Sequence, residues 1–386
     1  MGKAQETSIE KYFDKLEDPR SEINRQHKLV DIMVIAICAV ICGADDYPSI
    51  AEFGEAKEEW LSEILELPAG IPSSDTFWRV FRILDAEAFA ECFCDWMKAV
   101  CELSDGEIIA IDGKQLRRSH DKSGGKNAIY MVSAWATANQ VVLGQWKVDE
   151  KSNEITAIPE LLRLLDIKGT VVTTDAMGAQ TAIAQLIVEN EADYLLSLKG
   201  NQGNLHEDVD FLFTDLEESH FEAFDHEYAK TVDKGHGRLE TREAWTISDP
   251  NIIQHLRNSE KWPKLTTIMM VQAQRTLVCG NTKKKDKPDR RFYLASYKAS
   301  AETMLNDSRS HWGVENGLHW TLDIAFREDD SRLRKDNSAQ NFAVLRHIAL
   351  NLLKQESSLK LGIKNKRLKA GWDNRYLLKV LSGLFF

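Results

Sequence analysis

The sequence predicts an α/β protein: an N-terminal helical domain, then a mixed sheet in the order β-β-β-α-β-α-β, interrupted by a mainly β insertion. Three observations carry this. The apolar run Ile108-Ile109-Ala110-Ile111 leads without polar alternation into Asp112-Gly113, as a strand buried on both faces does. A second, β-branched run, Thr170-Val171-Val172-Thr173-Thr174, also ends in an aspartate, Asp175. Before residue 104 the apolar residues recur at helical spacing, and from Glu107 onward the period changes.

Taken in order, Leu29 to Cys42 reads as one apolar helix stopped by Gly43, and Ile50 to Leu65 as a second. Ser74-Asp75 caps a third, carrying Phe77, Val80, Phe81 and Leu84. Asp85 caps a fourth, with Phe89, Phe93, Trp96 and Met97. After the Asp112 strand, where Gly113 lets the chain turn, Ile129 to Ala138 and Val141 to Val148 form a hairpin joined by Asn139-Gln140. Glu154 to Leu165 is a crossover helix to the Asp175 strand. Gly178 to Asn190 is the next helix and Asp193 to Leu198 the fifth strand. This is the ribonuclease-H-like layout. Three strands form an antiparallel meander there, and the fourth lies parallel beside the first, which brings Asp112 and Asp175 to one edge. In open α/β sheets chemistry collects at the carboxyl ends of strands.

Residues 205–291 break the α/β rhythm. Acidic segments, a His236-Gly237-Arg238 turn, strand-like stretches (Thr266 to Val271, Arg275 to Val278) and a basic loop from Lys283 to Arg291 read as the β insertion. Arg291 to Tyr297 is a strand rejoining the main body, followed by a helical region from Ala301 to Leu322 and a periodic helix from Asn337 to Gln355. The expected domains are 1–104 (helical), 105–204 (catalytic core, first part), 205–291 (insertion), 292–353 (core, second part, with Glu315) and 354–386. The last is a basic tail with eight Lys or Arg against two acidic residues.

At 386 residues, 43% hydrophobic and 28% charged, the composition is that of an ordinary globular chain. The net charge of −11 excludes a histone-like, uniformly basic protein. None of the six cysteines forms a CxxC pair, which argues against structural zinc and for free thiols in a reducing cytoplasm. The charged first 25 residues hold no signal-peptide core, and the apolar run Ile32 to Cys42 is about half a membrane span, so no membrane partner is expected.

Beside Asp112 and Asp175, the third carboxylate expected is Glu315, in His311-Trp312-Gly313-Val314-Glu315-Asn316-Gly317-Leu318-His319-Trp320. His311, Glu315 and His319 are spaced to line one face of a helix, without the order of a zinc HExxH site. Two glycines in such a helix point to a close approach by some neighbour. Attack on a phosphodiester needs an activated oxygen and a stabilised leaving oxygen. Two hard cations such as Mg²⁺, with Mn²⁺ as substitute, meet both needs and take carboxylate ligands.

Ile111-Asp112-Gly113-Lys114, Thr174-Asp175-Ala176 and His311-Trp312-Gly313-Val314-Glu315-Asn316 together resemble the DDE transposases of bacterial insertion sequences. The resemblance is to the H-repeat-associated family found beside Rhs elements. Asp18-Pro19-Arg20, Gly70-Ile71-Pro72-Ser73, Leu198-Lys199-Gly200-Asn201-Gln202, His236-Gly237-Arg238-Leu239-Glu240, Leu318-His319-Trp320-Thr321-Leu322-Asp323 and Ala370-Gly371-Trp372-Asp373 extend it along most of the chain. It implies that Asp112, Asp175 and Glu315 are the metal-binding catalytic triad, with two Mg²⁺ ions per site. It also implies cleavage and strand transfer at inverted-repeat DNA ends, a target DNA, a homodimer on DNA and a cytoplasmic, nucleoid-associated enzyme. Related enzymes carry a Tyr, an Arg and a Lys around the glutamate; Ser308, His311 and Leu322 stand at those spacings here. The expected DNA contacts are Lys114, Arg117, Arg118, Lys199, Asn201, Gln202, Arg238, Arg309, His311 and His319, with sequence-independent affinity from the basic loop and tail. A metal-dependent nuclease without strand transfer, and a non-catalytic domesticated DNA-binding protein, are the alternatives.

Overall fold

The structure is a computed structural model that describes residues 9–120, 125, 127–149, 152–235, 238–279 and 282–385. His236 and Gly237 of the expected glycine turn lie outside the described residues. In chain order the elements begin with helices α1 (Ile9–Phe13), α2 (Leu29–Ile41), α3 (Tyr47–Ala56), α4 (Glu58–Leu61), α5 (Ser74–Ile83) and α6 (Ala86–Val100). Then come β1 (Ile108–Gln115), β2 (Tyr130–Ala136), β3 (Val141–Lys147), α7 (Glu154–Leu164), β4 (Val171–Thr174), α8 (Thr181–Glu189) and β5 (Asp193–Leu198). These are followed by α9 (Asn204–Glu218), β6 (Glu227–Gly235), β7 (Arg238–Ile247), α10 (Pro250–Ile253), β8 (Thr267–Cys279), β9 (Thr282–Lys285) and β10 (Asp289–Ala295). The chain ends in α11 (Ala301–Ser310), a π turn (Glu315–His319), α12 (Trp320–Ala325), α13 (Ser338–Gln355), α14 (Ile363–Trp372) and α15 (Asn374–Phe385).

The chain divides into two compact units, one of Met1–Glu102, Gly113–Asp166 and Val314–Phe386, the other of Leu103–Asp112 and Ile167–Gly313. In the first unit, α2 is buried along almost its whole length, as an apolar helix with no polar face must be. α13 is buried from Ser338 to Leu353, and its asparagines take up backbone groups that would otherwise be unpaired. Asn351 both donates to Val142 O (2.8 Å) and accepts from Val142 N (2.8 Å), so one side-chain amide stands in for a strand neighbour of β3. Asp46 caps α3, accepting from Ser49 N at 2.9 Å with Pro48 in the first turn. That cap starts the helix earlier than the periodicity predicts, and the expected single helix to Leu65 is instead α3 and the short α4. The hairpin of β2 and β3 has a four-residue connection rather than two, with Gln140 at φ 56°.

The tail is folded, not free. Lys366 donates to Leu353 O (2.8 Å) and to Glu356 O, and Arg367 donates to Val40 O (2.8 and 3.0 Å) and Ala325 O. Both are buried, so these two of the tail's cations close helix ends instead of facing a partner.

The second unit holds the strand order β1-β4-β5-β10-β8-β7-β6, with β9 on β8. β1, β4 and β5 run parallel, as expected for the strand that ends in Asp175, and the remaining pairs are antiparallel. The sheet is therefore mixed. The insertion opens with a helix, α9, before its strands begin, because Leu205, Val209, Phe213 and Leu216 make a helical apolar stripe. The two short strands expected from Thr266 to Val278 are one long strand, β8. Lys283 to Lys285 continue into β9, paired with β8, and not into a loop. Free thiols occur as expected. Burial pushes those of Cys42 and Cys94 up to about 12, which leaves them protonated and inert. No helix among the described residues is long and apolar enough to cross a membrane.

Candidate active site

Two aspartates define the site in the second unit. β1 and β4 pair in register from Ile108↔Val171 to Ile111↔Thr174, and the next residue on each strand is Asp112 or Asp175. The carboxylates therefore follow the last paired row of two adjacent parallel strands, whose backbones lie about 4.8 Å apart. Both residues are half-buried. The sequence signal was the apolar run that stops at an acid, and the register explains it. The run is the paired, covered part of the strand, and the acid is the first position beyond it.

Asp112 does not leave the strand, contrary to expectation, because β1 continues to Gln115. Nor does Gly113 make a turn. In the first unit, a Cβ at Gly113 would collide with the Glu154 carboxylate and the Tyr130 ring. The glycine is required by close approach of side chains, not by backbone freedom.

The Asp175 loop is tightly held. Its Oδ1 accepts from Met177 N (2.9 Å) and Gly178 N (3.1 Å). Asn201 donates to Ala176 O at 2.8 Å and Gln202 to Ala179 O at 2.6 Å. These two amides, expected to reach DNA, have donors that brace the Asp175 loop. Lys199 beside them is exposed. His311 Nδ1 lies 3.0 Å from Thr173 Oγ1. Burial pushes this imidazole down to about 4, against the opposing pull of Asp175, so the ring is neutral at pH 7. A neutral, hydrogen-bonded ring orients its neighbours and brings no charge to phosphate. Arg309 forms an ion pair with Asp233 at 2.8 Å, and exposed Arg238 begins β7.

In the first unit, Glu315 opens the π turn and is exposed, whereas His319 closes it and is buried. A π turn inserted into a helix is often found where a functional group is presented. The single helical face of His311, Glu315 and His319 is not formed, because α11 ends at Ser310 and the π turn changes the period. The expected close approach is real: a Cβ at Gly317 would sit 2.9 Å from Cζ2 of Trp135.

Lys114 departs most from expectation. It donates to Glu328 (2.9 Å), to Asp323 and to His319 O (3.4 Å), and its side chain is only 13% exposed. Burial disfavours its charge, but Glu328 and Asp323 outweigh that and hold its pKa above the ordinary value. Glu328 also faces Arg346 at 3.6 Å. Lys114 thus anchors the π turn through its last carbonyl, and two carboxylates of the same unit take up its charge. Arg117 and Arg118 pair with Asp329 and Asp330, each at 3.2 Å, but remain at the surface. Sequence reasoning missed Asp323, Glu328 and Arg346, and only the buried charge pattern of the fold shows them.

The donor set suits a hard divalent cation, since Asp112 and Asp175 offer carboxylate oxygens at neighbouring strand ends. No group of three ligating side chains is assembled among the described residues.

Sequence comparisons with known proteins agree on one family. The profile of the family described as "Transposase DDE domain" matches residues 103–352, and that described as "DDE_Tnp_1-associated" matches 10–97. The chain is 40% identical to "H repeat-associated putative transposase YhhI" of Escherichia coli (strain K12), covering 95% of each chain. It is also 40% identical to "Putative transposase YncI" of Escherichia coli O157:H7, over 97% of this chain and 94% of that one. A solved structure of "piggyBac transposase synaptic complex with hairpin DNA" aligns over 97% of this chain and 78% of that one, with 10% identity and a TM-score of 0.44.

Proposed function

The chain belongs to the DDE transposase family, and on that premise we propose that it cuts DNA at the inverted-repeat ends of an insertion sequence and joins them to a target. The observation that carries this reading is the register of β1 with β4, which leaves Asp112 and Asp175 as adjacent strand-end carboxylates. Glu315 on its π turn is the third carboxylate of the set. The strand order from β1 through β4 to β5 supports a ribonuclease-H-like core.

The three carboxylates would hold the divalent ions, Mg²⁺ by preference. Bound there, such ions supply an activated oxygen nucleophile and stabilise the leaving oxygen of a phosphodiester. The chain's own residues do the rest. Met177 N and Gly178 N fix one oxygen of Asp175, so the orientation of the carboxylate is set before any ligand arrives. Asn201, Gln202 and the Thr173–His311 pair hold the loop and strand that carry it. Arg117 and Arg118 are surface cations whose ion pairs, to half-buried Asp329 and exposed Asp330, are exchangeable for phosphate. Two ends are handled together, so a dimer on DNA follows from the reading.

The test is Asp112→Asn with labelled inverted-repeat DNA and Mg²⁺. Loss of a supporting partner typically costs up to about 100-fold, and loss of a ligand is expected to exceed that. A folded variant that still cleaves as wild type refutes the assignment. Ends that are cut but never joined to a target plasmid would reduce the activity to that of a nuclease.

A further inference from the structure

The long strands of the insertion carry an arginine lattice that the reaction just described does not use. From the register, Asp175 falls in the row of Ser197, Tyr293, Met269 and Thr246, so these residues share one face of the second unit's sheet. Moving outward from that row on the same face, Arg291 is two residues away on β10. Arg242 is four away on β7, Arg275 six away on β8 and Arg238 eight away on β7. At about 3.4 Å per residue, the arginines extend from roughly 7 to 27 Å past the row that holds the catalytic aspartate. Arg309, in the last turn of α11, joins them through Asp233.

The lattice is wired by two acids. Glu240 meets Arg242 at 2.7 Å and Arg275 at 3.2 Å, and Asp233 meets Arg242 and Arg309, both at 2.8 Å. Two carboxylates therefore hold three guanidinium groups, and exposed Arg238 adds a further positive charge. Arg291 pairs with Asp289 at 2.9 Å and stacks on the exposed Trp312 ring at 5.3 Å. A lattice serving only to staple strands would balance its charges and bury its arginines. This one has a positive excess, and the Arg275 side chain is 58% exposed.

We propose that this face is the track for the DNA backbone leading away from the cleavage site, with Arg238 and Arg275 contacting phosphates and Glu240 holding the arginines splayed. The proposal rests on the reading of DNA as substrate. Laid along a duplex axis, with its rise of about 3.4 Å per base pair, the roughly 20 Å between the nearest and the farthest arginine spans about six base pairs. Arg242 and Arg238 are about 14 Å apart along β7, the axial length of about four base pairs. Guanidinium forks recognise phosphate through paired hydrogen bonds and carry no base information, so the contact is independent of sequence. The His236-Gly237-Arg238-Leu239-Glu240 stretch then has a purpose, because its two described charged residues are the tip and the hub of the lattice.

The test measures affinity of the full chain for a random-sequence duplex without divalent metal, from about 50 to 200 mM salt. Arg238→Ala with Arg275→Ala is expected to weaken binding and to reduce the slope of log K against log salt by about 0.9 per lost contact. The matching Lys pair keeps the charge and is expected to retain the wild-type slope, which separates lost contacts from lost fold. Lys168→Ala with Lys264→Ala removes two cations near the opposite, amino ends of β4 and β5, where they pair with Glu191 and Asp193; it is expected to leave the slope unchanged. A wild-type slope in the Arg→Ala pair overturns this inference alone. A wild-type chain without salt-dependent binding overturns it together with the reading of DNA as substrate.

Discussion

Glu328 in one unit and Glu240 in the other each meet two cations, yet their surroundings differ. Glu328, Lys114 and Arg346 are out of water, with side chains 2%, 13% and 2% exposed. Glu240 is half-buried between Arg242, also half-buried, and Arg275, whose outer face stays wet. Taking charges out of water costs several kcal/mol per ion, and only good geometry recovers it. A buried cluster can tolerate no missing partner, whereas a surface lattice can exchange partners with a phosphate. The same residue types therefore support the fold in one place and offer a binding surface in the other.

The largest effect should come from breaking the buried cluster. Glu328→Gln leaves Lys114 with Asp323 alone and Arg346 buried without its carboxylate, and two nitrogens of Arg346 already lack a partner among the described residues. A loss of about 3–5 kcal/mol is expected in denaturant unfolding. Replacing Lys114, Glu328 and Arg346 together with Met, Leu and Met should recover much of it. A single variant as stable as wild type would mean that the cluster is wetter than its burial indicates.

Acid comes next. His347 packs beside the cluster, and burial pushes its imidazole down to about 4, with Glu328 opposing. It is therefore neutral when folded, while the unfolded chain takes up a proton near 6.5. Its contribution is complete above 6.5 and is lost as pH falls towards 4. The loss is at most about 3 kcal/mol at that end. Glu328, held low by Lys114 and Arg346 against its burial, adds a second loss as pH falls below the usual carboxylate range. Unfolding measured from pH 7 to about 3 should steepen accordingly. His347→Gln should flatten the upper part of that window only.

How much of this was legible follows from distance along the chain. A strand that is apolar until an acid is a local pattern, and so Asp112, Asp175 and the parallel pairing of their strands could be read from the sequence. The ion pairs of Lys114 could not be read, because its partners Asp323 and Glu328 lie more than 200 residues later and leave no local period. Gly113 looked like a turn for the same reason, since Glu154 and Tyr130 fill the space a side chain would need. The π turn was invisible because one extra residue per turn alters no composition. The tail's charge was correctly counted, but counting does not reveal that Lys366 and Arg367 cap helix ends inside the protein.

The smallest effect is the sharpest test of the comparison. Glu240→Gln removes the hub of the surface lattice, yet Arg242 keeps Asp233. Glu240 is half-buried but one of its two partners, Arg275, is exposed, so unfolding should move by about 1 kcal/mol, well short of the effect in the buried cluster. DNA affinity should move the other way. A carboxylate removed at about 8 Å from a phosphate in water takes away repulsion of about 0.5 kcal/mol, roughly a twofold gain. Glu328→Gln should give no such gain, because its charge is screened from any ligand by its own cluster. A Glu240 variant that loses several kcal/mol of stability and binds DNA no better would show that both clusters do the same structural job.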